Sequence, residues 1–209
     1  MDLYLFDFDN TLYRYDFRQR LPALAHSTGS SQYHLAKSWW AAGYEARAER
    51  GEWPTASEYL EQWETVTGVA LTVSQWREAR RKASSPIPGS VAALARATTL
   101  GVASVFSNNP APFAQELPWL APDVAAIVGE NRLVSCGLGA RKPEALSYQR
   151  ALEHFGVRPE DAFMADDSGA NVAAAREFGM HAHHFTAVDG EFDVDALNRA
   201  MDDFAGRHR

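Results

Sequence analysis

The chain has one cysteine, Cys136, so it can form no intrachain disulfide, and a cysteine-based zinc site is excluded. It is also short of lysine: Lys37, Lys82 and Lys142 stand against seventeen arginines. Positive charge is in deficit, with 20 basic and 27 acidic residues and a formal net charge of -7. That balance argues against a dedicated binder of nucleic acid or of anionic membranes, which would carry a basic face. No run approaches the eighteen apolar residues a membrane helix needs. The apolar stretch after Asp2 is too short for the core of a signal peptide. The expectation is a soluble, cytoplasmic protein, monomeric or dimeric, with no nucleic-acid or membrane partner. No internal repeat or low-complexity segment is visible, and 209 residues suit one domain carrying a modest insert.

What is present alternates. Residues 3–6 form a short apolar run that ends abruptly in Asp7-Phe8-Asp9-Asn10-Thr11, as a buried parallel strand would. Over residues 14–83 glycine and proline thin out and apolar residues fall at helical spacing, among them Leu35, Trp39, Ala42 and Ala46, then Tyr59, Leu60 and Trp63. Thr55 with Glu58 fits a capping box, and about four helices without strands are predicted here. Five of the six tryptophans lie in this segment, which carries ten basic and eight acidic residues. Pro86-Ile87-Pro88-Gly89 marks its end. Beyond it the pattern predicts helices at 91–99, 143–155, 170–178 and 194–204, and strands at 102–106, 124–128, 162–165 and 181–185. The fold class is therefore α/β: a Rossmann-like parallel-sheet core over residues 1–13 and 84–209, with an α-helical insert at 14–83.

Polar clusters follow several of these strands, and parallel strands bring such ends to one edge. Asp7 and Asp9, two apart, point the same way along extended chain. Two carboxylates forced together repel unless a cation sits between them. A hard divalent cation answers that, with Asp166 and Asp167 completing its oxygen ligands. A carboxylate beside such a cation can attack phosphorus. The chemistry calls for a nucleophile, a general acid/base, phosphate donors and a cation; Asp7, Asp9, Ser107 with Asn108, and Lys142 can fill these roles in turn.

These clusters resemble, in order and in strand context, the motifs of the haloacid dehalogenase (HAD) superfamily, in its phosphatase-like members with a helical cap. Residues 5–13 match the first motif, Asp-x-Asp-x-Thr; Ser107-Asn108 match the second; Arg141-Lys142-Pro143 match the third; Asp166-Asp167-Ser168 with Asn171-Val172 match the fourth. The resemblance covers residues 3 to about 185. It implies Mg²⁺ as cofactor and a small phosphorylated metabolite as substrate, a sugar phosphate or nucleotide. It further implies Asp7 as nucleophile and metal ligand. Asp9 would be general acid/base and ligate the metal through its backbone carbonyl, with Thr11 steadying its loop. Ser107 and Asn108 would hold the phosphoryl group together with Lys142. Asp167 would ligate the metal directly, and Asp166 through water.

Simpler roles compete. Asp7 and Asp9 could cap a turn, and Asp166 or Asp167 could cap the next helix, although that accounts for only one of them. A lysine in a first helical turn is electrostatically unfavourable, which favours a specific task for Lys142. His183 and His184 cannot easily share one ion, because consecutive strand residues face opposite ways. The tryptophans suit a bundle core, with Trp39, Trp40 and Trp53 the candidates for substrate contact and Tyr13, Arg14, Tyr44, Arg47 and Arg50 the weaker ones. Dehalogenases of the superfamily lack the second aspartate of the first motif, so Asp9 favours phosphoryl transfer. A phosphomutase using the same residues, and a non-enzymatic binding module, remain the alternatives.

Overall fold

A computed structural model of the protein describes residues 1–188 and 191–207. Its centre is a five-stranded sheet of β1 (Leu3–Phe6), β4 (Val102–Ser107), β5 (Arg132–Val134), β6 (Ala162–Asp166) and β7 (His181–His184), in the order β5-β4-β1-β6-β7. Every pairing in this sheet is parallel. All four residues of β1 are buried, which is why its text is a continuous apolar run rather than an alternation. Alternation still decides which layer each side chain joins. Tyr4 and Phe6 pack into one cluster with Phe163 and Phe204, while Leu3 and Leu5 pack into the other with Phe106, Tyr148 and Met164.

The helices over both faces include α6 (Pro88–Ala97), α10 (Ala145–Phe155), α11 (Gly169–Glu177) and α12 (Val194–Gly206). Pro88 opens α6 at its first turn, where a missing N–H costs nothing. One predicted strand is wrong. Residues 124–128 belong to helix α8 (Pro122–Val128), and the strand lies further on as β5. Val124, Ile127 and Val128 read as strand on composition, but Pro122 and Asp123 open a helical turn, and Val124 and Val128, four apart, share its buried face.

The inserted segment is helical, but not strand-free and not four clean helices. Its ends pair as a short antiparallel ribbon, β2 (Tyr13–Tyr15) with β3 (Ser84–Pro86), so the chain leaves and re-enters the core through one neck. Between them run α1 (Phe17–Thr28), α2 (Gln32–Leu35), α3 (Tyr44–Glu49), α4 (Ala56–Thr67) and α5 (Val73–Lys82). The periodicity linking Leu35, Trp39, Ala42 and Ala46 is interrupted by a π-helical turn at Ala36–Trp40 and by Gly43 at φ 82°. Both predicted capping-box residues, Thr55 and Glu58, exchange the expected hydrogen bonds at the start of α4.

Trp39 lies at the centre of this insert. It is fully buried against Tyr44, Trp53, Tyr59 and Trp63, and its indole N–H donates to Glu45 Oε2 at 2.5 Å. Its place is structural. Trp39→Ala is expected to lower stability by about 3–5 kcal/mol through the cavity it leaves, read as a shift of the urea midpoint; an unshifted midpoint would contradict that placement.

Candidate active site

β1 ends one residue before Asp7, whose amide still donates to the Ala165 carbonyl of β6 at 2.9 Å. The backbone then bends. The Phe8 carbonyl accepts from the amides of Leu12 (3.0 Å) and Tyr13 (2.9 Å), and Asn10 takes the left-handed conformation at φ 56°. The extended-chain expectation for Asp7 and Asp9 therefore fails, and the two carboxylates take different partners. Asp7 is buried and accepts from Lys142 Nζ at 2.9 Å. Asp9 turns to the helical insert, where Arg80 Nη2 on α5 lies 2.5 and 2.6 Å from its two oxygens.

Lys142 is almost completely buried, with three acceptors around its three N–H groups: Asp7 Oδ1 at 2.9 Å, Asp166 Oδ2 at 2.6 Å and the Phe106 carbonyl at 2.6 Å. It is not a first-turn residue, since α10 is capped by Glu144, so the helix-dipole objection does not apply. The Lys142–Pro143 peptide is cis. Asn108 fixes the loop: its amide side chain accepts from Lys142 N at 2.9 Å and donates to Lys142 O at 2.8 Å. Asp166, at the end of β6, is fully buried and heavily engaged. Besides Lys142, it accepts from Ser168 N (2.9 Å) and from Asn171 Nδ2 (3.0 and 3.1 Å). Asp167 is half-buried, and its carbonyl is bound by His184 Nε2 at 2.9 Å.

Burial sets the electrostatics. Desolvation pushes the Asp7 carboxyl up to about 7 despite the pull of Lys142, with Asp166 adding repulsion. Desolvation likewise raises Asp167 to about 6, reinforced by Asp166 and opposed by a hydrogen bond from Asn10. The Lys142 ammonium is disfavoured by burial, but the charges of Asp7 and Asp166 outweigh that and hold its pKa above the ordinary value. One ammonium among these acids does not satisfy them. Carboxylate oxygens of Asp7, Asp166 and Asp167 all lie within 4.8 Å of one another, a hard-oxygen set that fits a divalent cation.

Ser107 is buried, and its hydroxyl accepts from Asn109 Nδ2 at 3.1 Å. Thr11 is buried too, but its hydroxyl has no hydrogen-bond partner, so the loop is held by backbone bonds and not by Thr11 Oγ1. Sequence reasoning missed four residues. Arg80 hides in a basic run that ends a helix, where arginines are ordinary. Asn109, which reaches Asp9 Oδ2 at 3.3 Å, follows the recognised Ser-Asn pair by one position. Asn171 was visible in the fourth motif without a role. Asn10 holds the first loop through its side chain, which accepts from Tyr15 N at 2.9 Å.

Trp40 and the weaker recognition candidates have other partners. Tyr13 donates to Asp123, Arg14 lies over Phe192, Arg47 covers Tyr44 and Trp53, Trp40 packs on Phe17 and Trp63, and Arg50 pairs with Glu144.

A profile of haloacid dehalogenase-like hydrolases matches residues 1–179, and the chain belongs to that family. Among solved structures, it is similar to the HAD family enzyme bt-2542 of Bacteroides thetaiotaomicron, in complex with magnesium and inorganic phosphate, at 18% identity and TM-score 0.74 over 90% of this chain and 95% of that one. An HAD phosphatase from Thermococcus onnurineus matches at 17% identity and TM-score 0.66, over 96% and 98% of the two chains. An L-2-haloacid dehalogenase matches at 17% identity and TM-score 0.59, over 97% and 99%. At these identities the likeness establishes the fold. Within the described residues no helix is long and apolar enough to cross a membrane.

The raised carboxyl pKa values have a definite sign. Below about pH 7 the Asp7 carboxyl holds a proton that an incoming cation must displace, so affinity rises with pH and levels off above that value. Mg²⁺ binding followed by calorimetry is expected to weaken about tenfold from pH 8 to pH 6, as one displaced proton requires; a pH-independent affinity would contradict the cluster as the binding site.

Proposed function

We propose that the protein is a Mg²⁺-dependent phosphatase that hydrolyses a small phosphate monoester, of the sugar-phosphate or nucleotide class, through an aspartyl-phosphate on Asp7. The observation that carries this reading is the pairing of two unlike carboxylates on one loop: Asp7 sunk beside Lys142, and Asp9 more exposed and held by Arg80 and Asn109. The nucleophile stands in the cluster that fits a cation, and the proton carrier becomes available once Arg80 leaves it.

In this reading the Asp7 carboxylate attacks phosphorus, an Asp7–phosphorus bond forms and the bond to the leaving oxygen breaks. Asp9, protonated once Arg80 has left it, delivers that proton to the leaving oxygen. Water then attacks the aspartyl-phosphate, giving its proton to Asp9, and the phosphorus bond to Asp7 breaks, releasing inorganic phosphate and the free carboxylate. Lys142, Ser107 and the Asn108 backbone steady the phosphoryl oxygens. Asp7, Asp167 and the Asp9 carbonyl would hold Mg²⁺, with Asp166 acting through water; its oxygens already accept from Lys142, Ser168 and Asn171. When bound, the ion supplies positive charge against the phosphoryl oxygens. The helical insert serves as a cap that excludes bulk water, and its Arg80 can exchange Asp9 for a phosphoryl oxygen as the substrate arrives.

The similarity to the magnesium- and phosphate-bound enzyme and to the phosphatase supports this reading. Displacement of halide on a carbon centre, the chemistry of the dehalogenase relatives, needs no proton donor and gives Asp9 no task. A phosphomutase would retain the phosphoryl group, so accumulation of free phosphate separates the two.

With a generic aryl phosphate and Mg²⁺, Asp7→Asn is expected to abolish turnover, and Asp9→Asn to lower kcat about 10²- to 10⁴-fold, the usual range for a lost general acid/base. A chelator should silence the wild type. Undiminished phosphate release by Asp7→Asn would falsify the mechanism.

A further inference from the structure

The loop that presents Lys142 is gripped from the helical insert on both sides. Arg141, the residue before it, lies 2.8 Å by its Nε from Glu49 Oε2. Glu144, two residues after it, accepts from Arg50 Nε at 2.7 Å, with Nη2 at 2.6 Å from the same oxygen. Glu49 and Arg50 are consecutive at the end of α3, so two ion pairs of opposite polarity straddle Lys142. The contact continues at Gly51, where an added Cβ would run into the Cys136 carbonyl oxygen, leaving no room for a side chain between insert and core. The loop is also tied to itself: Glu144 N donates to Arg141 O at 2.8 Å, and Arg141 N to Glu144 Oε2 at 3.3 Å. One carboxylate, that of Glu144, thus ties the loop to itself through one oxygen and to the insert through the other.

From this arrangement we infer that the helical insert is a positioning element for Lys142: docking of the α3 end through Glu49–Arg141 and Arg50–Glu144 holds the loop so that the ammonium stands between Asp7 and Asp166. Glu49 and Arg50 touch none of the reacting groups themselves; they act through the loop. The crossed polarity favours this register, because sliding the insert by one residue would set Glu49 against Glu144 or Arg50 against Arg141. Closure and assembly of the lysine site become one event. An undocked insert would leave the loop to its bonds with Asn108, to its own internal bonds and to those of the Lys142 ammonium. The inference rests on the phosphatase reading for its catalytic meaning, but the mechanical coupling can be measured without turnover.

The test uses the full chain and the variants Arg50→Glu, Glu144→Arg and the double exchange. Amide hydrogen exchange over residues 141–147 is read for each, beside thermal midpoints. Exposed pairs of this kind contribute little to global stability. Each single reversal is therefore expected to leave the midpoint nearly unchanged, to speed exchange of the Lys142 loop about two- to fivefold or more, and to lower kcat on an aryl phosphate by a similar factor with KM less affected. The double exchange should bring both closer to wild type than Glu144→Arg does, short of full recovery because the Arg141 N–Glu144 Oε2 bond stays broken. Wild-type-like loop exchange in Arg50→Glu, a double exchange no better than Glu144→Arg, or faster exchange with kcat unchanged would each overturn the inference. A wild-type protein that releases no phosphate would instead defeat the phosphatase reading, and the exchange measurements would still decide the coupling.

Discussion

A single ammonium buried among carboxylates is the constraint on which the rest of this molecule turns. Lys142 has three N–H groups and three acceptors, from β1's end (Asp7), β4 (the Phe106 carbonyl) and β6 (Asp166). Removing one member of a buried ion pair strands the other, at a cost of about 3–5 kcal/mol, so three neighbouring strands and the loop before α10 are held to one geometry. Parallel pairing in the order β4-β1-β6 is what allows it: all three strands run the same way and stop at the same edge. The sheet's hydrophobic faces provide the stability against which that polar centre can be held.

The balance at this centre is deliberately incomplete in charge. Lys142 donates one hydrogen bond each to Asp7 and Asp166, yet Asp7 and Asp167 still have raised pKa values. A fully neutralised cluster would be a structural knot with nothing left to bind. Acids whose repulsion remains uncompensated, with Asp167 only half-buried, have affinity in reserve for a cation. The bend after Asp7 completes the separation of roles. By leaving the extended conformation at Phe8, the chain sends the first acid into the sheet edge and the second towards Arg80, and an undistorted strand would have put both in one environment.

Much of this is written in the sequence, and for a physical reason. A parallel strand covered on both faces is largely apolar, so the point where residues 3–6 give way to Asp7 marks the end of β1; β4 and β6 run one residue further, to Ser107 and Asp166 themselves. What escaped is what depends on tertiary contact. Helix α8 carries β-branched residues that a strand would also welcome, and the packing of Val124 and Val128 together with the Pro122-Asp123 start decides the matter. Arg80 shares its local text with Arg81 and Lys82, yet it alone is buried, pressed between Tyr15 and Phe113 and aimed at Asp9. Helical spacing puts Arg80, four residues after Trp76, on the buried face with Ala79, but nothing local tells that an arginine there meets Asp9. Thr11 erred in the other direction: its motif position suggested a loop-holding hydroxyl, whereas the backbone carbonyl of Phe8 does that work.

The scarcity of lysine also acquires a physical meaning. Arginine serves this chain almost everywhere a cation is wanted, including the ion pairs between insert and core at Arg50, Arg77 and Arg80. Its planar fork can lie flat on aromatic rings, as Arg80 does over Tyr15 at 4.1 Å. The position of Lys142 admits no such plane. Three oxygens converge there on one nitrogen, and a guanidinium would bring five donors on a rigid frame into a space where only three acceptors point at a single centre. Lys37, by contrast, extends over the ring of the exposed Tyr33, a setting an arginine could fill. A compact charge is needed wherever acids from separate strands must share one cation at hydrogen-bond distance, and there a chain otherwise committed to arginine retains a lysine.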